Sequence, residues 1–218
     1  MHPASLSEFL ASEAGSALRS RFHEHVLANG ALLPESEMDQ VLVVKRGRLR
    51  VYLTTPEREL SLVYLNEGDV FSTHTRAQLQ AVQPTVLLMA QRAVIERELA
   101  HYPALQRAII SVLAAVLNQA ITLIEDLAFH QVRGRIARYL LRCADRQKVA
   151  VEAGSAIRLD LSLEEIAALL GTTRQTASTE LNALMHAGIL TRQGRRHIEI
   201  CMPDRLQACA RENAVSAS

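Results

Sequence analysis

The sequence predicts an α+β chain: a small all-β domain, one long seam helix, and a C-terminal winged helix-turn-helix. Three observations carry this. Short period-two runs with turn residues fill the stretch from about 22 to 90, and an apolar repeat of about 3.5 residues runs from Ile109 to Leu127. Two capped helices and a basic hairpin then occupy the stretch from Ser162 to Ile200. The expected domains are 1–102 (the β-domain), 103–130 (dimerisation helix and hinge) and 131–218 (the winged helix-turn-helix).

The β-domain is read from Val41–Val44, Gly47–Leu53 (GRLRVYL), Leu60–Leu65 and Thr85–Ala90, with Gly47 and Gly68 marking turns. RLRVYL alternates apolar and basic residues, as a half-buried strand does, which sends Arg48 and Arg50 to a solvated face. A sandwich or barrel is expected. Leu6–Leu18 reads as a short helix ahead of it.

In the seam helix, Ile109, Leu113, Val116, Ala120, Leu123 and Leu127 follow one another at 4, 3, 4, 3 and 4 residues. Ile110, Leu117 and Ile124 make a second stripe on another face. One helix cannot bury two apolar stripes alone. The expectation is a twin helix on the first stripe and the β-domain on the second, hence a homodimer. Ala108–Ile124 is 17 residues without a charge, short of the ~20 that span a bilayer, with Asn118 and Gln119 near its middle. No membrane role is expected.

Phe129–Gln131 is the expected hinge, with Phe129 and His130 as its hinge residues, followed by a helix over Val132–Arg146 and a turn at Glu152–Ser155. Ser162 and Glu165 then form an S-x-x-E capping box for a helix buried through Leu163, Ile166, Ala167 and Leu170, and Gly171 ends it. Thr172 and Gln175 read as a second box, T-x-x-Q, opening a helix anchored by Ala177, Leu181 and Leu184 and stopped by Gly188. Its outward residues, Arg174, Gln175, Ser178 and Thr179, are types that read base edges in a major groove. The Thr172 and Thr173 hydroxyls suit a phosphate. Around Gln193-Gly194 the chain turns as a hairpin whose tip carries Arg192, Arg195, Arg196 and His197, suited to backbone contacts. Double-stranded DNA is the expected partner.

Charge agrees. The overall +1 splits into 13 Lys/Arg against 9 Asp/Glu from residue 131 onward and 11 against 14 before it. The basic half is the reading half, as a polyanion requires. Cys143, Cys201 and Cys209 form neither a metal spacing nor a disulfide frame, and the N-terminus has no signal-peptide pattern, so a reduced cytoplasm is expected. No enzymatic activity is expected. Asp69, Ser72 and His74 are the right types for nucleophilic catalysis, but three residues within six positions of one turn cannot take up the nucleophile–base–orienter geometry.

A β-domain, a seam helix and a winged helix-turn-helix in this order resemble the CRP/FNR family of dimeric bacterial transcription regulators along essentially the whole chain. The resemblance implies an N-terminal β-roll of jelly-roll kind, a palindromic operator and contact with RNA polymerase. Two of the family's sensing modes lack their motifs. Cyclic-nucleotide binders carry Gly-Glu and an Arg-Ser/Thr pair where this chain reads GDVFSTHTRAQLQAV (Gly68–Val82), and iron–sulfur members carry N-terminal cysteines.

The segments GRLRVYL, ERELSLVYLNEGDVFSTH (Glu57–His74), IEDLAFH (Ile124–His130), EEIAALLGTTRQTASTELNAL and TRQG (Thr191–Gly194) are similar in order to the haem-containing, carbon-monoxide-sensing activators of that family. This likeness implies haem b (iron protoporphyrin IX) as cofactor and CO as effector, with His74 on the iron. It also implies an N-terminal ligand displaced by the gas, either the Met1 α-amino group or the His2 imidazole. Ile110, Leu113, Ala114 and Leu117 match the gas-side face of the seam helix. The chain departs from those activators in carrying Ser72 where they have a redox-active cysteine, so no ferric thiolate state is expected, and in reading Met1-His2-Pro3 at its start. The rival expectations are a family member answering another small effector, NO or redox, and a haem-binding protein with vestigial DNA binding.

Overall fold

The computed structural model describes residues 10, 12–34, 39–55, 59–99, 101–194 and 196–212. These fall into two compact units, 1–120 and 121–218, each described by itself.

The first unit is a two-sheet sandwich. Seven strands build it: β1 (His23–Leu27), β2 (Gln40–Arg46), β3 (Leu49–Thr54), β4 (Glu59–Leu65), β5 (Val70–Ser72), β6 (Gln78–Ala81) and β7 (Thr85–Gln91). One sheet runs β1-β7-β2-β5 and the other β4-β3-β6, with every pairing antiparallel. Leu42, Val44 and Leu87 from the first sheet meet Leu49, Val51, Leu65 and Leu79 from the second in one buried cluster. The chain crosses between sheets at Gly47, where φ is +99° and a Cβ would lie 2.6 Å from the Pro84 carbonyl oxygen. Only glycine fits there. On the outer side of the first sheet, Val43, Leu88 and Ala90 pack with Leu10, Leu18 and Ile95.

Four strands appear where period two announced them; β1, β5 and β6 are additional. The expected Leu6–Leu18 helix falls partly on residues 6–9 and 11, which lie outside the described residues; Leu10 is helical. From Ser12 onward the chain is a 3-10 turn, Glu13–Gly15, capped by Ser12 and running into α1 (Ser16–Arg19). Arg50 also departs from expectation. Its side chain is only 11% exposed, ion-paired to Glu59 at 2.8 Å and lying 4.4 Å over the Tyr52 ring. Because β3 is the central strand of its sheet, Ser61 of β4 also reaches Arg50, whose Nε donates to the Ser61 hydroxyl at 2.7 Å. Arg48, expected to be solvated as well, is half-buried and donates from Nε to Asn66.

After α2 (Arg92–Leu99) comes the long helix, α3 (Pro103–Phe129). No helix among the described residues is long and apolar enough to cross a membrane. The two stripes do not divide between neighbours as the sequence expectation has them. Ile109 of the first stripe packs on the Leu10–Leu18–Ile95 cluster. Ile110, Leu117 and Ile124 of the second are 65%, 60% and 64% exposed, and Leu113 of the first lies uncovered with them, as does Ile121. Periodicity identifies two faces of a helix, but not which one a neighbouring element covers.

The second unit has its own core and holds the end of α3, α4 (Val132–Arg146), α5 (Leu163–Leu169), α6 (Arg174–His186) and α7 (Pro203–Arg211). A three-stranded sheet, β8-β10-β9, joins them, from β8 (Ser155–Arg158), β9 (Leu190–Gln193) and β10 (His197–Ile200). The helix over Val132–Arg146 and the Glu152–Ser155 turn stand where expected, the latter closed by Ser155 N donating to the Glu152 carbonyl at 3.1 Å. The strand β8 that follows it is an addition.

Candidate functional site

The reading unit is built from local signals. Ser162 and Glu165 cap α5 reciprocally, each accepting the other's backbone N–H, at 3.2 and 2.7 Å. Gly171 then turns the chain with φ +63°, a left-handed position that favours glycine. The cap of α6 lies one residue later than the T-x-x-Q pattern suggests. Thr173 is the cap, accepting from Thr176 N at 3.1 Å, while Thr172 precedes it. With two adjacent threonines, the one with extended backbone next to the first helical residue takes the role.

Ala177, Leu181 and Leu184 are buried, so α6 turns its other side outward. Arg174, Gln175 and Thr179 are exposed and Ser178 is half-buried on that side. The first-turn amides of α6 have no intrahelical acceptors and face the same end. The hairpin pairs Gln193 with His197 across a loop in which Gly194 has φ +79°. Arg192 and Arg196 are exposed there; Arg195 lies outside the described residues. The unit thus presents a polar helix N-terminus and a basic hairpin tip.

A charged cluster that sequence reasoning missed surrounds the hinge. Asp126, near the end of α3, is only 2% exposed and accepts from Arg138 Nε at 2.6 Å and Arg142 Nη2 at 2.9 Å. Glu125 also pairs with Arg138, at 2.9 Å. His130, 6% exposed, keeps Nδ1 3.2 Å from the Glu212 carbonyl oxygen. Arg135 donates to the His130 carbonyl at 2.9 Å and the Leu170 carbonyl at 2.8 Å, tying the hinge to the end of α5. Burial pulls Arg135 below the usual guanidinium range, with Asp126 opposing that shift. The available signal was Arg135, Arg138 and Arg142 at helical spacing opposite two adjacent carboxylates. Phe129 is 54% exposed beside this cluster.

In the first unit, His74 follows β5 and is exposed, with Nδ1 2.9 Å from the Ser72 hydroxyl. Asp69 accepts from Asn66 N at 2.7 Å within its own turn. Of the serine, histidine and aspartate weighed as a catalytic set, the structure therefore joins the first two and occupies the third elsewhere. Burial raises the Asp69 carboxyl above the ordinary aspartate value, and the Asn66 bond opposes this. Ile110, Leu113, Ala114 and Leu117 share one exposed face of α3, in the same unit as His74. Met1 and His2 lie outside the described residues.

Comparison with known proteins places this geometry. The Crp-like helix-turn-helix domain family matches residues 134–209. A CRP-like cAMP-activated global transcriptional regulator of Mycobacterium tuberculosis is 28% identical over 173 residues, spanning 72% of this chain and 74% of the relative. Among solved structures, a CooA mutant from Carboxydothermus hydrogenoformans is 35% identical over 95% of this chain and 96% of its own, with a TM-score of 0.87. The reduced, Fe(II) CO-sensing protein from R. rubrum is also 35% identical, over 94% of this chain and 98% of its own, with a TM-score of 0.54. With the helix-turn-helix, the β-domain and these near-full-length likenesses in agreement, the chain belongs to the CRP/FNR family of DNA-binding transcription regulators and stands close to CooA within it.

Proposed function

We propose that the chain works as a homodimeric transcription activator whose first unit holds haem b and answers carbon monoxide, and whose second unit reads a palindromic duplex. The observation that carries this is His74 with Nδ1 tethered to Ser72. A histidine that ligates a metal through Nε2 uses its Nδ1–H on a second partner, which fixes tautomer and ring direction. Ser72 is that partner here, so the residues present fit the group. Likeness to proteins described as CO-sensing supports the same assignment. When bound, haem supplies a ferrous centre that binds a diatomic gas reversibly.

The chain's own residues have these roles. His74 would hold the haem iron, and Met1 or His2 would supply the second, displaceable ligand. Ile110, Leu113, Ala114 and Leu117 offer an apolar face for the porphyrin and gas, and Ala114 leaves room. Domains follow as 1–102 for sensing, 103–130 for dimerisation and hinge, and 131–218 for reading. Phe129 and His130 pass the change onward. Gas binding need favour the reading-competent arrangement by only about 1–3 kcal/mol.

In the reading unit, Arg174 pairs with guanine and Gln175 with adenine, with Ser178 and Thr179 completing the groove contacts. Thr172, Thr173 and the α6 amides hold a phosphate, while Arg192, Arg195 and Arg196 track the backbone. Two such helices, one DNA turn apart, read a palindrome, and RNA polymerase is the downstream partner. Cyclic AMP is expected to leave duplex binding unchanged, because Gly68–Val82 lacks the family's phosphate anchors.

The test is an absorption spectrum of the reduced protein with and without CO, followed by a gel shift, under both conditions, on duplexes selected from a random pool. A protein that retains no porphyrin after expression with ample haem overturns the sensing assignment. Duplex affinity indifferent to CO overturns the coupling.

A further inference from the structure

The second unit contains a cleft that neither DNA reading nor gas sensing uses. Its volume is about 470 Å³, within the range of small-molecule sites. Three guanidiniums line it, those of Arg138, Arg142 and Arg211, together with the polar side chains of Thr122 and Gln207. Leu141 and Ala210 add an apolar wall. The lining therefore comes from the end of α3, from α4 and from α7.

Its charge is unbalanced in a definite way. Asp126 accepts from both Arg138 and Arg142, and Glu125 pairs with Arg138. Arg211 reaches the neutral Gln207 amide oxygen at 3.3 Å and has no carboxylate partner among the described residues. Three cations thus face two carboxylates. Asp126 takes one Nη of Arg142 and the Nε of Arg138, which holds both planar forks in place while leaving further N–H groups for another acceptor. Guanidiniums held in this manner lose little freedom on meeting a planar or tetrahedral oxyanion, and they bind it with two-point geometry.

We infer that this cleft is a second effector site, taking a small oxyanion (a phosphate or carboxylate group on a compact, partly apolar body). The oxyanion sits between Arg142 and Arg211, with the Thr122 and Gln207 side chains at its edge and its apolar part on Leu141 and Ala210. Occupation ties the end of α3 to α4 and α7, next to the Asp126 cluster at the hinge. The site is distinct from the N-terminus of α6, where a DNA phosphate is expected, so one chain carries two separable anion sites.

Isothermal titration of the purified full-length protein, at fixed ionic strength, tests this with inorganic phosphate, inorganic pyrophosphate and succinate as probes. The expected result is saturable binding of one probe per subunit, weakened at least tenfold by Arg211→Gln and by Arg142→Gln but unchanged by Arg174→Ala. The probe that binds tells phosphate from carboxylate chemistry. Arg211 is exposed and has no carboxylate partner among the described residues, so its variant is expected to keep the parent melting temperature and remains decisive should Arg142→Gln fail to fold. Three outcomes overturn the inference: no saturable binding of any probe, equal binding by wild type and Arg211→Gln, or loss of binding in Arg174→Ala alone. None of them bears on whether the protein retains haem.

Discussion

The Ser72 hydroxyl lies 2.9 Å from Nδ1 of His74, two residues along the same turn. This pair fixes which imidazole nitrogen is committed and which is presented. On the proposed haem assignment, replacing His74 with Ala is expected to abolish a six-coordinate low-spin spectrum of the reduced protein. Replacing Ser72 with Ala keeps that spectrum but weakens haem retention about tenfold or more, as loss of an outer-shell partner does. Absorption spectroscopy and haem-transfer assays check both. An unchanged spectrum in His74→Ala refutes the ligand assignment.

The uncovered face of α3 predicts self-association. Leu117 is 60% exposed and Leu113 61%, an apolar run that water disfavours. Leu117→Asp is expected to convert the protein to monomer in sedimentation velocity. Leu117→Met, which keeps the volume and apolarity, leaves the dimer intact.

Arg174 and Gln175 are exposed on the first turn of α6. Replacing either with Ala should cost roughly 1–3 kcal/mol and relax preference at a single base position in each half-site. Arg196→Ala instead weakens all duplexes alike and lowers the salt slope by about one. Binding to a panel of single-base operator variants distinguishes the two patterns.

Asp126 is buried against two guanidiniums. Asp126→Ala removes the shared acceptor and leaves like charges facing each other. Since both arginines retain some access to water, the loss is expected at about 2 kcal/mol, below that of a fully enclosed pair. Urea unfolding measures it. A change under 0.5 kcal/mol shows the cluster to be a surface arrangement only.

Burial raises the Asp69 carboxyl in the folded protein. Between the unfolded value and the raised folded value, the folded state holds the proton more tightly. Stability from this group therefore falls as pH climbs through that window. Asp69→Asn keeps an oxygen acceptor for Asn66 and removes the ionisation. Its melting temperature is expected to exceed the parent's at pH 7, with the advantage gone near pH 4.

Most of the reading unit was legible because its signals are local. The α5 capping box, the left-handed Gly171 and the whole of α4 are written in consecutive residues. What escaped depends on distant partners. The strand β8 is four residues, SAIR, recognisable only through its pairing with β10. β1 begins HEHVL, and a strand carrying two histidines and a glutamate shows no apolar alternation even though β7 pairs with it along its length. The stripes of α3 were found but not their partners, since Ile109 is drawn inward by Leu10 and Leu18 while Leu113 of the same stripe stays exposed. The hinge cluster joins residues as far apart as His130 and Glu212, beyond the reach of any motif. His74 stood out through family likeness rather than pattern, whereas its Ser72 tether needed coordinates.

The hairpin tip is fastened at its base, for the Arg196 carbonyl accepts from Leu159 N at 2.7 Å and β10 is the middle strand of its sheet. Exchanging this finger between two related proteins would thus fail as a cut of eight or ten residues. A working transplant has to carry β8 and the strut that follows it, and any divergence in that earlier segment would re-aim the cations without touching a single one of them.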